Sequence, residues 1–384
     1  MATHQNLPDA PPRIISINGD ALGIKTFGAD NGYPQRMLNL INACGTAKMC
    51  SNTYAKYVIG KGFENLDFYK AVIGWQNNEA LTPDKLIRMH APDKGKLRGI
   101  ALHVNYNALY AIENVAYVPF ENVRKGALEN AGKFAVYDNW YSSEKGGGRR
   151  SKKDFDFIHA YNPDPNVIER QVNEAGGWQH YKGQILWKSD DFSSYPTATV
   201  DPVLDDVEAE IESRITRKNN LRNNFQLKYV WTEKGQLQDD ETEEEVVETV
   251  RTFMGPEGKP VMVCFSKDPE GKDVPTLTPL ESKIDDKLFQ YTDQSSRLSI
   301  YTIYGQPAIL HSDYLGANGY NEGQLPQSQQ YYSDYTDPDR IFFEEVYREV
   351  FSRFHEPINV SDNYKLIPLT PLKTSKDGNT PVNT

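Results

Sequence analysis

The chain is short of the residues and patterns that usually announce a chemistry. Three cysteines occur in 384 residues, Cys44, Cys50 and Cys264. They are too few and too scattered for a disulfide framework. The spacing of the first two matches no metal-binding pattern, so core thiols in a reducing compartment are expected. No apolar run reaches the roughly 18 residues a membrane span needs. Residues 1–12 are polar, with neither a basic n-region nor an apolar h-region, and no secretory signal is expected. Basic charge is also in deficit. Lys and Arg number 42 against 53 Asp and Glu, for a formal charge of -11. A monomer gripping DNA over a broad face would be basic. An acidic wall that lets DNA slide past fits this balance, as does a protein with no nucleic-acid role.

Catalytic signatures are missing as well. Gly146-Gly-Gly-Arg-Arg-Ser-Lys-Lys153 has loop glycines and basic residues but not the G-x4-GK[ST] order that cradles phosphate. No G-x-S-x-G elbow, HExxH or paired Cys-x2-Cys occurs. His103 and His159 sit in strand-like segments, where a hydrogen-bonded structural histidine is expected. Asp239-Asp-Glu-Thr-Glu-Glu-Glu245 is a run, which reads as a solvated helix face. No catalytic residue, cofactor site or metal site is nominated, and the expectation is a protein that is not an enzyme.

What is present is a core and a long rod. The chain is 38% hydrophobic and 25% charged, with 5 Trp, 23 Tyr and 16 Phe, enough for two or three domains. Its mean hydropathy of -0.65 implies much surface that is solvated or buried only against partners. The most informative stretch is 201–254. Asp201-Pro202 reads as a cap with proline at the first helical position. Leu204, Val207, Ile211, Ile215, Leu221 and Phe225 then fall near a 3.6-residue stripe. Acidic residues come first and basic ones last, as the helix dipole favours, and Glu210 and Arg214 stand four apart. Some 24 residues make a rod of roughly 36 Å. Residues 227–231 read as a strand, Glu233-Lys-Gly235 as a turn, and 239–254 as a returning acidic helix. Such a hairpin suits the surface of an ordinary α+β protein, or a stem whose neighbours are copies of itself.

Elsewhere, Asn31-Gly-Tyr-Pro34 leads into a helix carrying Met37, Leu38, Ile41, Cys44 and Ala47. A further helical turn over 51–59 ends at Gly60-Lys-Gly62. A helix is predicted over 83–89 and strands over 13–17, 100–118, 133–141, 155–161, 184–188 and 260–265. A basic loop spans 145–153. A helix over about 284–304 meets a Gly/Tyr/Asn-rich loop, 305–323, holding Gly305, Gly316, Gly319 and Gly323. A last helix covers 325–354, interrupted near Asp337-Pro338, and the tail is expected to be loosely ordered at its end.

Four places in this order resemble the portal, or head-to-tail connector, proteins of tailed bacteriophages. Asp30-Asn-Gly-Tyr-Pro-Gln35, a helix, and Ile59-Gly-Lys-Gly-Phe63 are similar to that family's "DN.YP" opening and "G.GF" ending. Residues 101–124, ending Val118-Pro-Phe-Glu-Asn-Val-Arg124, look like its wing strands. Residues 201–254 are similar to stem helix, clip and stem helix. Ile300-Tyr-Thr-Ile-Tyr-Gly-Gln-Pro-Ala-Ile-Leu310 resembles its "I...f.vP..L.G" segment. The cover runs from about 30 to 355. The chain is short for that family and leaves little room for a helical crown.

The resemblance implies an α+β, portal-like fold: an N-terminal arm (1–30), a wing (31–200), a first stem helix (201–225), a clip (226–238) and a second stem helix (239–254). The wing would resume over 255–355, with a long helix, before a tail (356–384). It implies a homo-oligomeric ring, usually of twelve subunits, at one vertex of the virion, assembled in the host cytoplasm. Double-stranded DNA would pass through it in packaging and ejection. The partners would be a separate terminase, the major capsid protein and a head-tail adaptor, with no cofactor and no membrane. Candidate channel residues are Tyr314, Asn318, Tyr320 and Asn321 in the 305–323 loop, with 266–275 as the competing loop. Candidate clip residues are Tyr229, Trp231 and Lys234. A different virion adaptor or capsid-associated ring protein, or a carbohydrate-active enzyme suggested by Tyr and Trp beside carboxylates, are the other readings.

Overall fold

The computed structural model describes residues 18–19, 22–138, 140, 155–190, 195–222, 229–234, 261–266, 276–279, 286–311, 323–355 and 364–369. The chain divides into two compact units, 205–299 and the remainder on either side of it.

The larger unit is mixed helix and sheet. Its helices begin with α1 (Tyr33–Ala43) and α2 (Gly45–Ile59), separated by Cys44, whose thiol accepts from Ala47 N as the cap of α2. A short α3 (Leu66–Lys70) is capped by Asn65. The next helix, α4 (Pro83–Leu97), starts on a Thr82 cap with proline at its first position. It runs eight residues beyond the expected end at Met89, straight past Pro92, because Leu86, Ile87, His90, Ala91, Lys94 and Leu97 continue one buried face. α5 (Pro165–Ala175), capped by Asp164, was not anticipated from the sequence.

Strands β1 (Asn18–Gly19) and β2 (Ile24–Lys25) pair with each other, and β3 (Gly74–Gln76) and β4 (Glu79–Leu81) form a hairpin. The remaining six, β5 (Gly99–Tyr106), β6 (Ile112–Val118), β7 (Val123–Lys125), β8 (Lys133–Val136), β9 (Phe157–Ala160) and β10 (Gln184–Ser189), make one sheet in the order β6-β5-β10-β9-β8-β7. Only β9 and β10 are parallel, and α5 is the crossover that a parallel pair requires. β8 ends at Val136, short of the expected 141. The β3–β4 hairpin lies along β6, where Val115 N donates to Ile73 O at 2.9 Å. Its turn residues Asn77 and Asn78 have φ of 51° and 64°, as a tight two-residue hairpin turn demands.

One buried cluster joins Phe27, Tyr33, Met37, Ala101, Val118, Phe120, Ile185 and Tyr195. On another side, α8 (Gln324–Tyr335) and α9 (Asp337–Phe351) follow one another, broken at Thr336 as the sequence suggested. Phe63, Phe68, Tyr347, Phe351 and Tyr364 stack edge-on or face-on there at centroid distances of 4.9–5.6 Å. Tyr364 and Leu366 are fully buried, so this part of the tail belongs to the core.

The smaller unit holds α6 (Leu204–Arg222), preceded by a 3-10 turn, Asp201–Val203, and α7 (Asp286–Ile303), which continues into the larger unit. Between them lie β11 (Tyr229–Lys234), β12 (Val261–Ser266) and β13 (Thr276–Pro279), with β11 central.

Candidate channel and interface elements

The expected hairpin over 227–235 is overturned. Glu233 and Lys234 are strand, not turn, and β11 pairs in parallel with β12 from Tyr229↔Val261 to Lys234↔Ser266. β13 pairs on its other edge in antiparallel sense, Trp231 opposite Leu277. A parallel pair cannot be closed by a tight turn. Residues 235–260, which include the acidic helix expected at 239–254, lie outside the described residues. All three candidate clip residues, Tyr229, Trp231 and Lys234, fall on the central strand of this sheet.

An ion pair joins α6 to α7. Arg217 reaches Asp293 at 2.7 Å, from the sheet-side half of α6 to the sheet-side half of α7. On α6, Val207, Glu210 and Ser213 are buried, whereas Ile215, placed on the apolar stripe by its spacing, is 45% exposed. Leu298 on α7 is 47% exposed. The residues buried in the single chain are thus partly polar, and these two apolar side chains stand out in solvent.

Tyr314, Asn318, Tyr320 and Asn321 lie outside the described residues, as does most of the competing loop, 267–275, and the basic loop 145–153. The described flanks of the first loop are closely tied. Its upstream side is the 3-10 turn Ala308–His311 and its downstream side is α8. Pro307, Ala308, Ile309, Gln324, Gln327, Ser328 and Tyr331 line an open groove of about 500 Å3 between them.

Three of the motifs that carry the resemblance turn out to be internal joints. Arg124 is fully buried. It donates to Asn31 Oδ1 (2.5 Å), Asn31 O (2.9 Å), Glu121 O (2.8 Å) and Val123 O (2.9 Å), and its guanidinium lies over the rings of Phe27 and Trp140. The Tyr33 hydroxyl donates to Asp201 Oδ1 at 2.7 Å and accepts from Ala198 N at 2.9 Å, which fixes the chain where it enters α6. Gly60 has φ +58°, and a Cβ there would fall 2.1 Å from Ile367 O.

A polar cleft of about 280 Å3 went unseen in the sequence. Tyr54, Arg98, Asp190, Thr197, Thr199, Tyr335 and Asp339 line it, with Lys94 at its floor. The Lys94 side chain is buried and ion-paired to Asp190 and, at 3.2 Å, to Asp339, and it lies 4.1 Å from the centroid of Phe342. Burial, then the Asp339 carboxylate, pushes the Tyr54 hydroxyl well above its usual range. Lys94 could have been found by carrying the buried period of α4 through Pro92.

His103 Nε2 donates to Lys182 O at 2.6 Å, and burial lowers its pKa. Burial also lowers the pKa of His159. Cys44 and Cys50 are buried free thiols, as expected, and Cys264 lies in β12. Among the described residues, no three metal-ligating side chains converge and no helix is long and apolar enough to cross a membrane.

No protein-family model matches the chain, and neither does any curated protein. Solved structures do. A chain from the neck of a native gene transfer agent (GTA) particle, computed with C12 symmetry, aligns over 85% of this chain and 82% of its own at 12% identity and a TM-score of 0.51. A chain from the neck of the empty particle, computed with C6 symmetry, aligns over 92% and 86% at 11% identity and a TM-score of 0.52. An HK97-family phage portal protein from Corynebacterium diphtheriae aligns over 83% and 91% at 9% identity and a TM-score of 0.47. At such identities what is shared with the two neck chains is the fold.

Proposed function

We propose that this chain is a portal subunit, which assembles into a closed ring at one vertex of a capsid and forms the channel through which double-stranded DNA is packaged and ejected. The observation that carries the reading is the smaller unit: a long helix, a small sheet and a second long helix, with Ile215 and Leu298 left exposed on the helices. Apolar side chains exposed on such helices in one chain are what a ring of copies would bury. The neck chains with which the fold is shared were computed with C12 and C6 symmetry, and twelve copies is the stoichiometry we propose.

On this reading the first stem helix is α6, the clip is 229–279 rather than 226–238, and the second stem helix is α7 rather than 239–254. The loop 305–323, with Tyr314, Asn318, Tyr320 and Asn321, lines the channel. The ring is a passive conduit that does not hydrolyse nucleotide, and a separate terminase drives the DNA. Major capsid protein and a head-tail adaptor are its other neighbours in the virion. A net charge of -11 per chain keeps a sliding duplex from adhering to the wall.

Native mass spectrometry and electron microscopy of the full chain test the ring. About twelvefold cyclic particles are expected, and Ile215→Asp with Leu298→Asp should leave folded monomers that no longer close. A strictly monomeric wild-type chain at every concentration, or rings unaffected by both substitutions, would end the assignment of these helices. Deleting 314–320 should spare ring formation and reduce packaged DNA. Normal packaging with the deletion in place would move the channel assignment to 266–275.

A further inference from the structure

The Gln306 side chain is a buried crossing point of three segments. It is 4% exposed, and both of its amide hydrogens are used: Nε2 donates to Cys50 O in α2 at 2.8 Å and to the Tyr332 hydroxyl in α8 at 2.7 Å. Oε1 accepts from His311 Nε2 at 2.5 Å. An amide oxygen only accepts, so the proton of His311 sits on Nε2. The His311 ring is also stacked on Tyr301, centroid to centroid 4.7 Å.

The backbone delivers Gln306 to this point. α7 closes with Gln306 N donating to Tyr301 O (2.9 Å) and Gly305 N to Thr302 O (3.0 Å), the paired bonds of a Schellman end. Gly305 takes the left-handed position at φ +63°, and a Cβ there would lie 2.4 Å from the Tyr335 ring. Only glycine turns the chain here without moving α8, and Gln306 is thereby thrust between α2 and α8.

His311 is the last described residue before 312–322, and Tyr332 lies in the helix that follows that segment. One amide therefore joins the departing end, the returning helix and a fixed carbonyl of α2. We propose that Gln306 is a positioning residue that fixes the spacing and orientation of the two ends of the 305–323 segment. It rests on the reading of that segment as channel-lining. Removing the amide takes a partner from each of three polar groups in a buried place. Bonds of that kind are costly to leave unmade, so the flanks, not the sheet, should loosen.

The test uses the full chain as wild type, Gln306→Leu, Gln306→Glu and His311→Gln. Gln306→Leu keeps the bulk and loses every bond. Gln306→Glu keeps the acceptor for His311 and loses both donors, and His311→Gln keeps a donor towards Gln306. Both Gln306 variants should form rings and hold Tm to within about 3 °C of wild type, with packaged DNA down about tenfold. His311→Gln should retain most of the packaging. Amide exchange gives a reading independent of any portal role: peptides of α8 should exchange about tenfold faster in Gln306→Leu, with β5 and β10 unchanged. Unchanged exchange in α8, or full packaging by Gln306→Leu, overturns the proposal. A joint fall of Tm, ring formation and packaging also overturns it, by making Gln306 a folding residue only. Loosened α8 together with a wild-type chain that packages no DNA would instead sink the portal reading and leave the coupling of the two ends standing.

Discussion

Arg124 and Asn31, 93 residues apart, are joined by a 2.5 Å bond between guanidinium and side-chain amide oxygen and a second, 2.9 Å bond to the Asn31 carbonyl. The first motif of the chain is thereby fastened to β7, an edge strand of the six-stranded sheet. Asn31 is itself in the left-handed region, φ 60°, and its side-chain oxygen also accepts from Phe27 N. A buried, forked donor set of this kind is not replaceable by a point charge. Arg124→Met should lower stability by about 3 kcal/mol and Arg124→Lys by nearly as much. Asn31→Ala should cost more than Asn31→Gly, since glycine tolerates the backbone angle that alanine resists. Urea denaturation of the full chain measures all four. An Arg124→Lys variant as stable as wild type would show that the fork contributes nothing.

The second prediction concerns two opposing titrations on α4. Burial holds His90 down at about 4, below its ordinary 6.5, where it bonds Ala101 O and the Tyr347 hydroxyl. Between those values the unfolded chain binds a proton that the folded chain refuses. Stability from this group is whole above pH 6.5 and is lost as pH falls to 4. Asp93 is pushed the other way, up to about 7, by burial first and then by the charge of Glu121, while it accepts from the Tyr117 hydroxyl and Phe120 N. The folded chain then keeps a proton that the unfolded chain releases above about pH 4, so its contribution declines as pH rises towards 7. The slopes offset one another in the wild type. Asp93→Asn should expose a steep loss on acidification below pH 6.5, and His90→Gln a loss on raising pH from 4 to 7. Urea midpoints taken from pH 4 to 8 decide it; two variants with the same slope would contradict both assignments.

The third prediction follows from residues 364–369. Lys61 N donates to Ile367 O and Glu64 N to Lys365 O, both at 2.8 Å, and Ile367 N returns a bond to Gly62 O at 2.9 Å. Leu366 N is held by Glu344 of α9 at 2.8 Å. The strap therefore ties the turn after α2 to α9 and buries Tyr364 and Leu366 between them. A chain ending after Leu369 should melt like wild type. Tyr364→Ala with Leu366→Ala should lose about 5 kcal/mol, as two large side chains leave the core. Equal melting of the double variant and wild type would mean the strap is dispensable.

These elements show which parts of the structure were legible in the chain. The start of α4, the break between α8 and α9, and most strands followed from caps, proline and apolar spacing. The end of α4 did not: the helix continues past Pro92 because the buried row from Leu86 to Leu97 outweighs one missing bond. Glu233-Lys-Gly235 has turn-like composition, yet pairing with β12 draws Glu233 and Lys234 into the strand. Strand partners sit at long sequence separation and leave no local trace. The ion-paired cleft around Lys94 draws on α4, β10 and α9, so no contiguous motif could contain it. The channel residues named from the 305–323 loop fall outside the described structure, and what the structure adds there is the anchoring of its ends.

Which later helix returns beside α6 can be tested at one ion pair. Arg217 meets Asp293 at 2.7 Å, with Arg217 half-exposed and Asp293 nearly buried. An exposed pair is worth less than about 1 kcal/mol, whereas a like-charge contact against a sheltered carboxylate costs more. Arg217→Asp and Asp293→Arg should each destabilise the chain by about 1–2 kcal/mol. If α7 lies against α6, the double exchange restores a pair of opposite charges, and its cost should be well below the sum of the two single costs. If the helix at 239–254 were the neighbour instead, Arg217 and Asp293 would be independent and the two costs would add. Urea unfolding of the four proteins in a double-mutant cycle reads the coupling directly. Strict additivity would overturn the proposal that α7 is the second helix of a stem.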